Sequence, residues 1–242
     1  MKKHENDLVV FADGSSLGNP GVGGWGAILI YQKLDEVIEL GGNKAHTTNN
    51  EMELTAVVSA LGYALNSNAP LHIYTDSRYT IQGATEWIYR WSRNGWKTSE
   101  KEDVKNKALW QSLLELIETR GKNTIHFHHV HGHVGVPGNE RVDDIARGLA
   151  EGSKVNLYRG KLSQYGIHDI LTIPKDAEQK ELYKGRKAGT AYSYIALIDG
   201  KVERFSNWAD CEARVTGRSA KFRKALSLEH EKEIIKDWGV TE

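Results

Sequence analysis

Three strand-like stretches precede the first helical one, and this order constrains the fold more than any other feature of the chain. Residues 7–12 (DLVVFA) read as a strand leading to Asp13, and Gly14, Gly18, Asn19, Pro20 and Gly21 make a turn. Trp25–Tyr31 (WGAILIY) reads as a second strand and residues 37–42 (VIELGG) as a third. Closely spaced strands joined by short turns predict an antiparallel meander. After Asn50, the residues Met52, Ala56, Val57, Ala60, Leu61, Ala64 and Leu65 fall on one helical face, with Asn49 as the expected N-cap. LHIYTD then reads as a strand ending at Asp76, and Asp76 or Ser77 caps a helix running through Ile81 to Trp91. Residues 92–107 break the pattern. A helix carrying Leu109, Leu113, Leu116 and Ile117 follows, then the strand TIHFHHV, the glycine-rich loop GHVGVPGNE and a helix over Arg141–Ala150. The order βββ-α-β-α-α-β-α predicts an α/β fold with a mixed five-stranded sheet flanked by helices.

Residues 151–187 change character: they are polar and weakly periodic, and read as a linker. From Ala188 a second pattern begins, with two strands around the Asp199-Gly200 turn, a short helix over Asp210–Val215 and a last one in LEHEKEIIKDWG. The expected domains are 1–150, a linker at 151–187 and a small α+β domain at 188–242. A chain of 242 residues is long enough for one medium and one small domain. The single cysteine, Cys211, excludes an internal disulfide framework and fits a reducing compartment. The opening MKKHENDLVV lacks the apolar core of a signal peptide, and no apolar run is long enough to span a membrane. The expectation is a cytoplasmic monomer with no membrane partner.

Four carboxylates carry the chemistry. Asp13, Glu53, Asp76 and Asp143 each sit where a strand ends or a helix begins. Carboxylates gathered together repel one another unless a divalent cation lies between them. Hard oxygen ligands suit Mg²⁺ or Mn²⁺, and two such ions can hold both the attacking and the leaving oxygen of a phosphodiester. The chain reads as a metal-dependent nuclease. Its formal net charge of zero is low for a nucleic-acid enzyme, although phosphates respond to local charge within a Debye length of roughly 8–10 Å.

Residues 7–150 closely resemble type 1 ribonuclease H, through FADGSSLGNPGVGGWGAIL, TTNNEMELTA, YTDSRYTIQGATEWI, NGWKT and HGHVGVPGNERVDDIA in that order and spacing. The resemblance implies a ribonuclease H-like fold and cleavage of the RNA strand of an RNA–DNA hybrid. It implies two metal ions held by Asp13, Glu53, Asp76 and Asp143, and products with 5′-phosphate and 3′-hydroxyl ends. Glu51 competes with Glu53, but the two stand about 200° apart on a helix, so only one faces the metals. The family pattern selects Glu53, directly before Leu54, and likewise selects Asp143 over Asp144. His133 matches a mobile-loop histidine that assists proton transfer or product release, whereas His126, His128, His129 and His131 read as strand or surface residues.

The same resemblance implies hybrid contacts. Asn19, Asn49 and Asn50 match positions that read the minor groove and its 2′-hydroxyls, for which amide groups are suited as donors and acceptors. Thr48 and Asn106 match a phosphate pocket for the DNA strand, and Tyr79 and Trp91 match aromatic contacts to DNA sugars. Trp87 and Trp96 read as packing residues. Residues 87–107 correspond to the family's basic protrusion, but Arg90, Arg93, Lys97, Lys101, Lys105 and Lys107 are offset by Glu86, Glu100, Glu102 and Asp103. At the C-terminus, YSYIALIDGKVERF and SNWADCEARVTGRSAKFRKALS resemble the viroplasmin-related hybrid-binding domain, with Trp208, Phe222, Arg223 and Lys224 at its nucleic-acid-contacting positions. Two rival readings share the fold: a non-catalytic nucleic-acid binder, disfavoured by four intact carboxylates, and a DNA resolvase or integrase, which lacks this Asn and Trp pattern.

Overall fold

The computed structural model describes residues 6–132, 135–167, 169–174, 193–215, 218, 220–225 and 228–239. The chain divides into two compact units, Met1–Lys180 and Glu181–Glu242.

In the first unit, β1 (Leu8–Ser16), β2 (Gly21–Tyr31) and β3 (Glu36–Thr47) form the expected antiparallel meander. Strands β4 (Leu71–Thr75) and β5 (Ile125–His129) add in parallel on the other side of β1. Alternation along β1 sends Leu8, Val10 and Ala12 into one core and Val9 and Phe11 into another. Helices α1 (Asn49–Tyr63) and α4 (Lys107–Arg120) fill the first core with Leu54, Val57, Leu61, Trp110, Leu113 and Ile117. Helix α5 (Pro137–Ala150) contributes Val142 to the second.

Helix boundaries follow local chemistry. Thr48, not Asn49, caps α1, accepting a hydrogen bond from the Glu51 N–H at 3.3 Å. Ser77 caps the next helix through the Thr80 N–H. The single helix expected through Ile81 to Trp91 has three parts: α2 (Arg78–Gln82), a π-helical turn (Gly83–Trp87) and α3 (Ile88–Arg93). The widened turn lies over Trp110, whose ring leaves no room for a Cβ at Gly83.

The sheet has six strands, in the order β5-β4-β1-β2-β3-β6, and not five. The extra strand, β6 (Arg159–Lys161), pairs with Glu36–Ile38 of β3 and comes from the stretch expected to be a linker. Residues 151–174 therefore belong to the first unit. The cause is Glu39, whose side chain is fully buried. It accepts hydrogen bonds from Arg141 Nε and Nη2 at 2.7 and 2.8 Å, from the Tyr158 N–H at 2.8 Å and from the Tyr165 hydroxyl at 2.5 Å. A buried carboxylate requires such partners. Tyr165 and Ile170 then close the second core.

The second unit is a three-stranded antiparallel sheet in the order β8-β7-β9. Strands β7 (Ser193–Ile198) and β8 (Lys201–Phe205) meet at the expected hairpin, where Asp199 and Gly200 both take positive φ. Helix α6 (Trp208–Val215) places Cys211 and Val215 against Ala196 and Ile198 on one face. Helix α7 (Leu228–Asp237) places Ile234 and Ile235 against Ile195 and Ala225 on the other. Strand β9 (Ala220–Ala225) runs through a segment whose sequence shows no clear alternation.

Candidate active site

Parallel strands β1 and β4 end side by side, and the N-terminus of α1 lies against them. A Cβ on Gly14 would meet the Glu53 amide nitrogen at 2.1 Å, so only glycine lets the helix approach the strand this closely. The outcome is a carboxylate cluster. Oxygens of Asp13, Glu53 and Asp76 lie within 4.8 Å of one another.

Each carboxylate is held differently. Asp13 is buried, and its Oδ1 accepts the Gly14 N–H at 2.7 Å. Burial, followed by repulsion from Asp76, Asp143 and Glu53, pushes its carboxyl well above the usual carboxylate range against the opposing Gly14 bond. Glu53 is pushed up as well, by burial and by Asp76, against opposing hydrogen bonds. Its Oε1 accepts from Asn49 Nδ2 at 2.8 Å and its Oε2 from Ser77 Oγ at 2.5 Å, which fixes both oxygens. The competing Glu51 faces elsewhere, bound to Lys44 at 2.6 Å and Thr47 at 2.8 Å. Asp143, on α5, is close enough to raise Asp13 but pairs with Arg147 Nη2 at 3.2 Å. Asp144 is exposed, with Arg147 at 2.6 Å. The donor set is all hard oxygen and mutually repelling, and it fits divalent cations of the Mg²⁺ type. His133 lies outside the described residues.

The expected contact residues sit on the elements around this cluster. Asn19 accepts the Asn49 N–H at 3.2 Å, linking the β1–β2 turn to α1, and Asn50 is exposed in the first turn of that helix. Tyr79 and Trp91 form one aromatic group with Trp87 and Trp110, at ring separations of 5.4 to 6.1 Å. The Tyr79 hydroxyl accepts from Trp110 Nε1 at 3.1 Å and from Asn106 Nδ2 at 3.3 Å. Trp110 is the organising member, fully buried, and the sequence reading passed over it. Its place three before Leu113 and seven before Ile117 was the available signal. Within residues 87–107, Asp103 pairs with Lys97 at 2.9 Å and Lys107 at 3.9 Å, so local acids do offset the basic protrusion.

In the second unit, Phe222 is exposed on β9. Alternation sends Arg223 to the opposite face, so these two neighbours do not form one patch. The side chains of Trp208 and Lys224 lie outside the described ones.

A family profile described as RNase H matches residues 5–151. Ribonuclease H of Rhizobium etli is 50% identical over 138 residues, 57% of this chain and 87% of that protein. Ribonuclease HI of Pseudomonas aeruginosa is 45% identical over 148 residues, 61% of this chain and 96% of that protein. Among solved structures, LC9-RNase H1, a type 1 RNase H, superposes with a TM-score of 0.56 at 25% identity over 71% of this chain and 86% of that one. The chain belongs to the ribonuclease H family.

Gly132, after β5, lies against Asp76. A Cβ on Gly132 would fall 2.3 Å from Asp76 Oδ2. Gly132→Ala is expected to rotate Asp76 out of the cluster and lower kcat/KM roughly 10²-fold. Thermal unfolding should move little, because Gly132 is only half-buried. Kinetics together with a melting curve check both parts.

Proposed function

We propose that this chain is an endoribonuclease that hydrolyses the RNA strand of RNA–DNA hybrids with two divalent cations, Mg²⁺ or Mn²⁺, leaving 5′-phosphate and 3′-hydroxyl ends. The observation that carries the reading is the convergence of Asp13, Glu53 and Asp76 on one point of a ribonuclease H fold. Asp13, Glu53, Asp76 and Asp143 would hold the ions, which supply an activated water and charge stabilisation at the leaving oxygen. Asn49 commits its amide nitrogen to Glu53 and so offers its oxygen to a 2′-hydroxyl, coupling substrate recognition to the placement of a metal ligand. Asn19 and Asn50 flank it at the minor groove. Tyr79 and Trp91 present the aromatic surface for DNA sugars, Thr48 and Asn106 the phosphate pocket, and His133 assists proton transfer or product release.

In the cell this activity would remove RNA primers and R-loops, with the protein acting as a cytoplasmic monomer. No helix among the described residues is long and apolar enough to cross a membrane. The deciding experiment compares a labelled hybrid, double-stranded RNA and duplex DNA as substrates over a salt series. The reading requires cleavage of the hybrid's RNA strand and neither of the other duplexes. Equal cleavage of duplex DNA would overturn it.

The second unit is proposed as a hybrid-binding module acting through Trp208, Phe222, Arg223 and Lys224. Exposed aromatic rings stack on sugars and bases, and cations meet phosphates. Deletion of residues 181–242 is expected to raise KM for hybrid several-fold at physiological salt and to leave kcat nearly unchanged, as measured in steady-state kinetics. An unchanged KM would remove the module from this role.

A further inference from the structure

On α5, one guanidinium nitrogen of Arg147, Nη2, reaches two neighbouring carboxylates at once. It lies 3.2 Å from Asp143 Oδ2 and 2.6 Å from Asp144 Oδ1, one helical turn back on α5. The geometry of the other three acids is the reverse. Asp13, Glu53 and Asp76 crowd together, and the hydrogen bonds that hold Asp13 and Glu53 come from uncharged donors. Asp143 lies outside this close group and is balanced by a cation on its own helix. The guanidinium is half exposed, so it can swing into solvent at small cost.

We propose that Arg147 is a positioning residue, a counter-ion latch that holds Asp143 on the surface of α5 until a divalent cation competes for it. Asp144 sets the strength of the latch by sharing the same nitrogen. The latch rests on the two-cation reading of the site and adds to it a competition: Asp143 must exchange its Arg147 partner before it can reach a cation. Ion uptake that recruits Asp143 is therefore opposed by Arg147. Exposed ion pairs contribute about 0.2–1 kcal/mol, which corresponds to a 1.4- to 5-fold effect on affinity.

The test is calorimetric titration of the metal-stripped full chain with MnCl₂ at low salt, read as stoichiometry and dissociation constants and not as activity. Arg147→Ala is expected to tighten the weaker ion about two- to five-fold. Arg147→Lys should stay near the parent, because it keeps a cation within reach of Asp143. Asp144→Ala leaves Arg147 to Asp143 alone and should weaken the weaker ion, and this effect should shrink when Arg147 is also alanine. That dependence separates a latch from a general charge effect, which would give Asp144→Ala the same consequence in both backgrounds. Two ions bound with unchanged affinity in Arg147→Ala, or equal effects of Asp144→Ala with and without Arg147, would overturn the latch while leaving the two-cation site standing. A parent protein that takes up no ion would overturn both.

Discussion

Asp13→Asn is expected to abolish cleavage and at the same time to raise the melting temperature of the metal-free protein by a few degrees. The two effects have one origin. Asp13 is the buried member of the cluster, and three other carboxylates add to the cost of its charge. An amide keeps the shape, removes the charge that would hold a cation, and relieves the repulsion. Activity should fall about 10³-fold or more, since the lost interaction serves the reaction itself. The stability gain depends on pH with a definite sign. Asp13 takes up its proton more readily when folded than when unfolded, where its pKa is about 3.9. Its contribution to the metal-free parent is fully present below that value and is lost as pH rises through the raised folded pKa. The advantage of Asp13→Asn should therefore open above pH of about 4 and vanish when Mg²⁺ is added to the parent. Melting curves with EDTA and with Mg²⁺, across pH, check this. A variant less stable than the metal-free parent at neutral pH would contradict the repulsion on which the reading depends.

Glu39→Gln is expected to cost about 3–5 kcal/mol of stability, the range for breaking a buried charge network by removing one partner. Glu39 holds Arg141 of α5, the Tyr158 backbone and the Tyr165 hydroxyl together, and so ties β3, α5 and β6 into one body. Burial alone would raise its pKa, but the bonds from Arg141, Tyr165 and Tyr158 outweigh burial and leave the carboxyl below its ordinary range. The stabilisation it provides is present above the unfolded pKa and is lost as pH falls through the lower folded value. The loss should appear as a fall in melting temperature on the order of 10 °C. Because Arg141 lies two residues before Asp143, weakened metal binding should accompany it. A shift of less than about 1 kcal/mol would show that the network contributes no more than surface pairs do.

The meander, the two parallel strands and the helices that follow them were legible because their periods are strong and their turns are marked by glycine. The carboxylates expected at element ends are placed otherwise in part: Asp13 lies within β1 and Asp143 in the middle of α5, while Asp13, Glu53 and Asp76 still meet in one cluster. The family pattern separates Glu53 from Glu51. The structure supplies the physical side of that choice, since Glu51 is bound to Lys44 and Thr47. What the sequence hid was non-local. β6 has three residues and almost no apolar content; it exists because Glu39, some 120 residues earlier, needs buried donors. Trp110 and Gly83 are unremarkable alone and acquire meaning only when α4 packs under the π-helical turn. Strand β9 lacks clean alternation because it exposes Phe222 between positions that face the opposite core. The N-cap is Thr48 and not Asn49 because Thr48 is the last extended residue and its hydroxyl accepts the Glu51 N–H, whereas Asn49 is already the first helical residue.

The most direct test of the central claim is end-group analysis of a hybrid carrying internally labelled RNA, incubated with Mg²⁺ and, in parallel, with EDTA. Cleavage only with the metal, giving fragments with 5′-phosphate and 3′-hydroxyl ends, is the predicted result. Cleavage that survives EDTA, or fragments ending in a 2′,3′-cyclic phosphate, would show that the ribose 2′-hydroxyl attacks and that the four carboxylates do not work through bound cations.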